Sequence, residues 1–201
     1  MSTASFDSRL TRCSWPGTDP LNIDYHDNEW GVVEHNEQRL FEMLTLEGAQ
    51  AGLSWQIILN KREGYRRLFE NFDIQKVAAF DAKKIQALLN DAAIVRHRGK
   101  IEATIHNAGC ILSLWEQGHS LDDIVWDSVA GNPITNHWNS LQEIPAATTE
   151  SLALSKSLKK LGFRFVGEKT CYAFMQAAGL VNDHEVTCFR HRQCMLAANP
   201  G

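Results

Sequence analysis

The sequence has no apolar run close to the roughly 18 residues that a membrane-spanning helix needs. Its start, from Met1 to Ser5, lacks both the basic head and the apolar segment of an export signal. Low-complexity tracts are also missing. The composition, with 44% hydrophobic and 22% charged residues, is ordinary for a globular chain. These absences exclude an integral membrane protein and a largely disordered one, and they predict a cytoplasmic protein.

An excess of positive charge is absent as well. The chain has 20 basic and 24 acidic residues, a formal net charge of −4, so any nucleic-acid binding must depend on local patches. Five cysteines, an odd number without an export signal, fit metal ligands or reduced thiols better than a disulfide framework. The length predicts one domain over residues 1–201, with room for two lobes and with flexible ends at 1–8 and 195–201.

Convincing strands with a period of two residues are not found, and the predicted fold class is therefore all-α. Apolar residues recur at helical spacing from Glu37 to Glu47, from Arg98 to a stop at Gly118, after Thr148, and between Gly167 and Gly179. Shorter helices are predicted at 54–59, 64–71, 74–80, 82–91 and 121–125. The stretch 132–149, which contains Pro133 and Pro145, is predicted to be the main loop.

Two cysteines and two histidines near the chain ends form a candidate metal site: Cys13, His26, His184 and Cys188. Two thiolates and two imidazoles are the ligand set of a closed structural zinc, and a spacing of four favours His184 and Cys188 facing the same way on a helix. Cys194 and His191 are possible substitutes. The alternative is that these residues are ordinary buried side chains.

Glu47 lies on the apolar stripe of its own predicted helix, at the spacing of Leu40, Met43 and Leu44. A buried carboxylate is costly, and such groups collect at functional sites. The alternative is that the helix ends at Leu46 and that Glu47 caps it or faces water.

Three aromatic residues lie close in sequence to the first two candidate metal ligands: Trp15, Tyr25 and Trp30. Such rings either stack on a base or fill the core.

Residues 162–167 (GFRFVG) join two amphipathic helices, with glycines at the two positions where a tight turn needs positive φ or close approach. The helix that follows begins with free N–H groups, which favour an anion. Five basic residues form a local patch around it: Lys156, Lys159, Lys160, Arg164 and Lys169. A DNA backbone fits this helix-hairpin-helix pattern, whereas an ordinary helical hairpin with solvated lysines is the alternative.

Several motifs together carry a family resemblance: residues 25–31 (YHDNEWG), 40–43 (LFEM), 46–48 (LEG), 50–55 (QAGLSW), 96–101 (RHRGKI), 162–167 and 180–184 (LVNDH). In this order they resemble the DNA-3-methyladenine glycosylase I family, a zinc-containing branch of the helix-hairpin-helix DNA glycosylases. The match runs from about Cys13 to Cys188 and covers nearly the whole chain. It implies a helix-hairpin-helix glycosylase fold in which a zinc site joins the N- and C-terminal segments.

The resemblance assigns roles to individual residues. It implies structural zinc ligation by Cys13, His26, His184 and Cys188, one ion per chain, and base binding by Glu47, Tyr25, Trp55 and Trp15. It places Leu53 near the lesion, where the DNA opens, and assigns phosphate binding to the turn from Gly162 to Gly167. The local basic patch adds Arg164 and Lys169 as predicted DNA-binding residues.

Two positions depart from what relatives carry. Asn182 stands where the broader superfamily commonly has a catalytic aspartate, a departure that fits this particular family, and Asp183 would point elsewhere if the segment were helical. Asn22 stands in a place where relatives can carry an aromatic residue, which leaves one stacking wall of the pocket in question.

The sequence thus predicts a monofunctional DNA repair glycosylase that flips 3-methyladenine out of double-stranded DNA and hydrolyses its N-glycosidic bond. Glu47 is the predicted catalytic residue, and a monomer without a small-molecule cofactor or membrane contact is expected. Two alternatives are a non-catalytic, zinc-stabilised DNA-binding protein and a zinc hydrolase that uses three of the four ligands and an open water position.

Overall fold

The structure is a computed structural model that describes residues 9–198. The predictions for 1–8 and 199–201 lie outside the described residues, and residues 195–198 form the end of the last helix. The described part contains ten α-helices: α1 (Pro20–Asn28), α2 (Glu37–Gln50), α3 (Trp55–Leu68), α4 (Ile74–Ala78), α5 (Ala82–Asn90), α6 (Arg98–Glu116), α7 (Leu121–Asp127), α8 (Thr149–Lys160), α9 (Glu168–Ala177) and α10 (Phe189–Ala198). The all-α prediction is confirmed.

Helix starts follow the capping residues in the sequence. The side chain of Thr148 accepts from the N–H of Ser151 at the start of α8, and Ser120 does the same for Asp123 at the start of α7. His97 caps α6 by accepting from the N–H of Lys100. Each such cap satisfies an N–H group that has no partner inside its helix.

One prediction about helix boundaries is wrong. Residues 54–59 and 64–71 were expected to form two helices, but α3 runs without a break from Trp55 to Leu68. Gly64 lies inside this helix, and a Cβ at this position would come within 2.3 Å of the carbonyl oxygen of Ala93. The glycine therefore allows α3 to pack closely against the turn that contains Ala93, and it does not break the helix. Helices α1 and α10 were not predicted from the sequence.

The stretch 132–149 contains regular structure as well as loop. Ile134–Thr135 (β1) pairs in parallel with Val181–Asn182 (β2), and a 3-10 helix spans Leu141–Glu143. The short ladder joins this stretch to the chain just before His184. The N–H of Asn136 continues it by donating to the carbonyl of Asn182.

Two apolar clusters hold the described helices together. The larger one is centred on fully buried side chains such as Phe41, Phe174 and Leu154. The smaller one joins Cys13, Tyr25 and Trp30 from the start of the chain to Cys188 near its end, and Trp55 packs against both clusters. Within residues 9–198, none of the helices is both long enough and apolar enough to cross a membrane.

Candidate functional site

Glu47 is a buried carboxylate with only 6% of its surface exposed. Helix α2 continues to Gln50, so the alternative in which the helix ends at Leu46 is wrong. No residue in the described range 9–198 donates a hydrogen bond to Glu47 or forms an ion pair with it. Burial raises the pKa of Glu47 to about 8. The energetic cost of holding an ionised carboxylate here is therefore not offset within the protein.

Glu47 lies in the lining of a cavity of about 340 Å³, at the small end of the range of roughly 300–1,000 Å³ for ligand pockets. Four aromatic side chains form one side of this pocket: Trp15, Tyr25, Trp30 and Trp55. The ring centroids of Tyr25 and Trp55 are 5.2 Å apart, and those of Trp15 and Trp30 are also 5.2 Å apart. Such a cavity has the size and the flat apolar faces that suit a single aromatic base.

Polar groups in this aromatic wall lack partners. The indole N–H groups of Trp15 and Trp55 are buried and make no hydrogen bond within the described residues. Burial and then the nearby Glu47 carboxylate raise the pKa of Tyr25, so its phenol is neutral at physiological pH. The aromatic wall thus holds two buried N–H groups without a partner, and the lining adds the neutral phenol of Tyr25 and the acidic group of Glu47.

Behind the pocket, Arg62 forms the centre of a buried ion network. Its Nε donates to Glu42 at 2.8 Å and its two terminal nitrogens donate to Glu29 at 2.7 Å each. Arg66 and Arg39 bind the same Glu42 carboxylate at 2.8 and 2.6 Å. Burial works against ionisation of Glu29 and Glu42, but Arg62 and Arg39 together outweigh burial and lower the pKa of both carboxyls, with Arg66 also acting on Glu42.

This network explains why Glu47 has no counter-ion. The guanidinium of Arg62 lies 5.9 Å from the ring centroid of Tyr25, close to the pocket, but its charge is already matched by Glu29 and Glu42, to which it donates three hydrogen bonds. The network could not be predicted from the sequence because only Arg39 and Glu42, three positions apart, are local neighbours on a helix. The other bonded pairs are 10 to 33 positions apart.

The other wall of the pocket was also missed. It is formed by Lys169, Tyr172, Ala173 and Gln176 on α9 and by Leu141, Ile144, Pro145 and Ala146 in the stretch predicted to be a loop. Lys169, Tyr172 and Gln176 follow one another at spacings of three and four on one side of α9. This spacing was the available sequence signal for a polar feature facing the pocket.

The four predicted metal ligands do come together, and all four are buried. One potential ligand atom from each residue lies within 4.8 Å of the others. The Sγ of Cys13 is 3.5 Å from Nδ1 of His184, and the Sγ of Cys188 is 3.4 Å from Nε2 of His26. This cluster could hold a metal ion, and its two sulfurs and two nitrogens fit the donor set of a tetrahedral zinc site.

The hydrogen bonds around the cluster support the same fit. His26 Nδ1 is 2.8 Å from Asp27 Oδ1, and His184 Nε2 is 3.0 Å from the carbonyl of Trp30. Each contact occupies the ring nitrogen that does not face the cysteines, as is usual for metal-ligating histidines. Burial lowers the pKa of His184, which favours the neutral imidazole that a metal requires.

Two details of the metal prediction need correction. His184 and Cys188 do not share a helix: residues 183–188 form an extended segment and a turn, and α10 begins at Phe189. The possible substitutes are not in the described cluster. His191 instead contacts the carbonyl of Asn136 at 2.8 Å, and Cys194 is buried outside the ligand set.

The predicted hairpin lies between α8 and α9, but its backbone differs from the expectation. Gly162 has a positive φ of 91°, whereas Gly167 has a φ of −64° and caps α9, and a Cβ on Gly167 would meet nothing within 4 Å. The second positive φ belongs to Phe165, at 57°. The side chain of Asn107 braces the turn by bonding to both the N–H and the carbonyl of Arg164.

The basic residues near the hairpin are exposed, and they include Arg164 and Lys169. Lys169 also lies in the lining of the pocket, at the start of α9. Residues 96–100 (RHRGK) are also rich in basic side chains, but Lys100 is partly buried, and its Nζ donates to the carbonyls of Ala49 and Ala51 at 2.8 and 2.7 Å. Lys100 therefore supports the end of α2.

Leu53 lies in the turn between α2 and α3. Gly52 has a positive φ of 80°, and the N–H of Leu53 donates to the carbonyl of Gln50 at 2.7 Å. The side chain of Gln50, which also lines the pocket, donates back to the carbonyl of Leu53 at 2.9 Å. We call residues 50–54 the α2–α3 turn.

The two departures from the family pattern have structural counterparts. Asn22 is not in the lining of the pocket, and its side chain donates to Gln56 at 2.6 Å. Asn182 is 3% exposed, donates to the carbonyl of His191 and likewise does not line the pocket. Asp183 is buried and accepts four hydrogen bonds.

Comparison with known proteins places this geometry in context. Residues 15–191 match a family model described as methyladenine glycosylase. A relative from Escherichia coli strain K12, DNA-3-methyladenine glycosylase 1, is 53% identical over 179 residues, which cover 89% of this chain and 96% of the relative.

Solved structures give the same result. A crystal structure of 3-methyladenine DNA glycosylase I has a TM-score of 0.87 at 52% identity and covers 89% of this chain and 98% of its own. A second relative, a tyrosine-to-phenylalanine variant of 3-methyladenine DNA glycosylase I in complex with 3-methyladenine, has a TM-score of 0.85. It is 34% identical and covers 89% of this chain and 96% of its own.

Proposed function

The chain belongs to the methyladenine glycosylase family, and from that premise we propose that it removes 3-methyladenine from DNA as a monofunctional repair glycosylase. The observation that carries the proposal is Glu47, a buried carboxylate without a counter-ion, in a base-sized pocket with an aromatic wall. A solved relative binds 3-methyladenine itself. The reaction hydrolyses the N-glycosidic bond and leaves an abasic site.

The substrate supplies the charge that the pocket lacks. Methylation at N3 makes the attached adenine cationic, so the flipped base brings a positive charge beside Glu47. In our proposal the carboxylate accepts hydrogen bonds from the base edge and stabilises the cation, while Tyr25, Trp55 and Trp15 contact its ring faces. A normal adenine is neutral and does not offset the cost of ionising Glu47.

The chemistry then requires little acid–base help. When the bond between the sugar carbon C1′ and the base nitrogen N9 breaks, its electron pair moves into the cationic ring, and the base leaves as a neutral molecule. Water adds its oxygen to C1′ and releases a proton to solvent, without a covalent enzyme intermediate. Asn182 is consistent with this route, because a good leaving group does not need a catalytic aspartate on the sugar side.

We further propose that the substrate is double-stranded DNA. The start of α9 and the turn from Gly162 to Gly167 would bind backbone phosphates, helped by the exposed Arg164 and Lys169. Leu53 in the α2–α3 turn would enter the space that the flipped nucleotide leaves. Phosphate contacts position the duplex but carry no sequence information, which suits an enzyme that reads a lesion and not a sequence.

For the Cys–His cluster we propose one structural zinc per chain. If Cys13, His26, His184 and Cys188 all bind, no coordination position remains for substrate or for a reactive water, and a zinc hydrolase is disfavoured. The zinc would contribute folding energy by joining the two chain ends. We also propose a monomer without a small-molecule cofactor, located in the cytoplasm, where cysteine ligands stay reduced.

The decisive experiment identifies the bases released from methylated duplex DNA by chromatography, comparing the wild type with Glu47→Gln. Release of 3-methyladenine by the wild type, and its loss in the variant at unchanged DNA affinity, is the expected result. A matched control is Glu116→Gln, which removes an exposed acid at the end of α6 and should leave release unchanged. Duplex binding by the wild type without base release would contradict the proposal and favour a non-catalytic DNA-binding protein.

A further inference from the structure

Asp183 is the centre of a hydrogen-bond group beside the pocket. The side-chain N–H groups of Asn136 and Trp138 donate to its Oδ1 at 2.7 and 2.8 Å. The hydroxyl of Tyr172 and the amide of Gln176 donate to its Oδ2 at 2.5 and 2.8 Å. With 1% of its surface exposed and about four acceptor sites filled, this carboxylate has no capacity left to bind a water or a sugar.

The four donors come from two parts of the chain that line the same cavity. Tyr172 and Gln176 are on α9 and themselves line the pocket. Asn136 and Trp138 begin the stretch 136–146, which we call the wall segment and which contributes Leu141, Ile144, Pro145 and Ala146 to the lining. Asp183 therefore ties the wall segment to the helix that shares the cavity with it.

Other contacts extend this attachment along the wall segment. The carbonyls of Asn136 and Trp138 are held by His191 Nε2 at 2.8 Å and by the N–H of Val186 at 2.9 Å. The carboxylate of Glu143 then accepts from the N–H of Asn139 at 2.9 Å, which closes the turn that leads into the 3-10 helix at 141–143. Leu141 on this segment is 41% exposed, whereas Ile144 packs against the larger apolar cluster.

We propose that Asp183 is a positioning residue that fixes the wall segment against α9 and thereby sets which methylated bases fit the pocket. This inference rests on the proposed function. A guanine carries two exocyclic groups where adenine carries one, so methylated guanines need more room than 3-methyladenine. A wall held by buried hydrogen bonds to a charged group keeps the cavity narrow, whereas a loosened wall admits the larger base.

The test is Trp138→Phe, which removes one hydrogen bond to Asp183 and retains an aromatic ring. The measured quantity is the ratio of 3-methyladenine to 7-methylguanine released from methylated duplex DNA. We expect the ratio to fall by about tenfold, at the lower end of the roughly 10–200-fold discrimination that one methylene gives in an apolar pocket. The matched control is Trp126→Phe, which removes the bond from the indole N–H to the carbonyl of Glu34.

A second variant covers the case in which Trp138→Phe folds poorly. Leu141→Ala trims the exposed rim of the wall segment without touching the Asp183 group, and it should lower the same ratio. The inference is overturned if a folded Trp138→Phe leaves the ratio unchanged, if Leu141→Ala leaves it unchanged, or if Trp126→Phe lowers it equally. If the wild type releases no 3-methyladenine at all, the proposed function fails instead, so the two failures are distinguishable.

Discussion

The Sγ of Cys13 and the Nδ1 of His184 lie 3.5 Å apart although 171 positions separate them in the chain. The contact brings both ends of the described chain to one buried point beside the aromatic wall of the pocket. There the rings of Trp30 and His184 meet edge to face, with their centroids 4.6 Å apart. The candidate metal ligands therefore touch the pocket lining, and metal binding and pocket formation are expected to depend on each other.

The first prediction concerns this cluster. Cys188→Ala should abolish stoichiometric zinc binding and lower the melting temperature by about 10 °C or more, since 1 kcal/mol corresponds to roughly 2–4 °C at this size and a structural zinc is worth several kcal/mol. Zinc content by elemental analysis and thermal unfolding give the measurement. Cys110→Ala, at a half-buried cysteine outside the cluster, is the control. A variant at Cys188 that retains full zinc content would show that the ion is held elsewhere.

The second prediction concerns the effect of pH on stability through Glu47. Its pKa rises from 4.5 to about 8 on folding, so below pH 4.5 both states are protonated and nothing is lost. Between these values the unfolded chain releases a proton that the folded protein retains, and stability falls as pH rises. Glu47→Gln should therefore be more stable than the wild type, with a gap that widens from pH 5 to pH 8 and reaches at most about 5 kcal/mol.

Urea unfolding at pH 5 and pH 8 measures this gap. Glu116→Gln, at an exposed site, should show no comparable dependence. If Glu47→Gln is less stable than the wild type at pH 8, then Glu47 has a favourable partner in the folded state and the account of an uncompensated charge is wrong.

The third prediction concerns Lys100, which bonds to the carbonyls of Ala49 and Ala51 at the end of α2. Lys100→Met should loosen the α2–α3 turn and lower kcat/KM on duplex DNA by about tenfold, because small displacements of positioned groups are costly. Binding of free 3-methyladenine should change little. Lys61→Met is matched to it, since Lys61 donates to one carbonyl, that of Ala92, from α3. Equal losses in the two variants would argue against a specific role for Lys100.

The fourth prediction concerns DNA contacts at the start of α9. Lys169→Ala should weaken duplex binding and reduce the slope of log affinity against log salt by about 1, the value expected for the loss of one phosphate contact. Lys83→Ala, at an exposed position on α5, serves as the comparison and should leave the slope as it is. An unaltered slope for Lys169→Ala would remove this residue from the proposed interface.

Local periodicity was enough to place Glu47 correctly. Its spacing from Leu40, Met43 and Leu44 predicted the buried face, because one side of a helix is fixed by residues three and four apart. The end of that helix was less certain from sequence, since Gly48 resembles a stop signal. In the structure Gly48 is helical and makes room for Phe165, whose Cβ would lie 3.3 Å from an added Cβ.

Features that depend on long-range pairing could not be predicted in the same way. Glu29 and Arg62 are 33 positions apart, and Asn136 and Asp183 are 47 apart, so no local pattern links them. The stretch 132–149, which includes the wall segment, was predicted to be a loop because its two-residue strand and short 3-10 helix are too brief to leave a periodic signal. Its role in the pocket is visible only once α9 and Asp183 are in place.

The separation of Cys13 and His26 from His184 and Cys188 also has a consequence for synthesis on the ribosome. The first pair is made early, and 171 positions separate Cys13 from His184. While the residues between them are being joined, a nascent chain offers an ion only half of the ligands in the cluster. If the cluster holds a metal, its full set of ligands is therefore assembled only after α2 to α9 have been made.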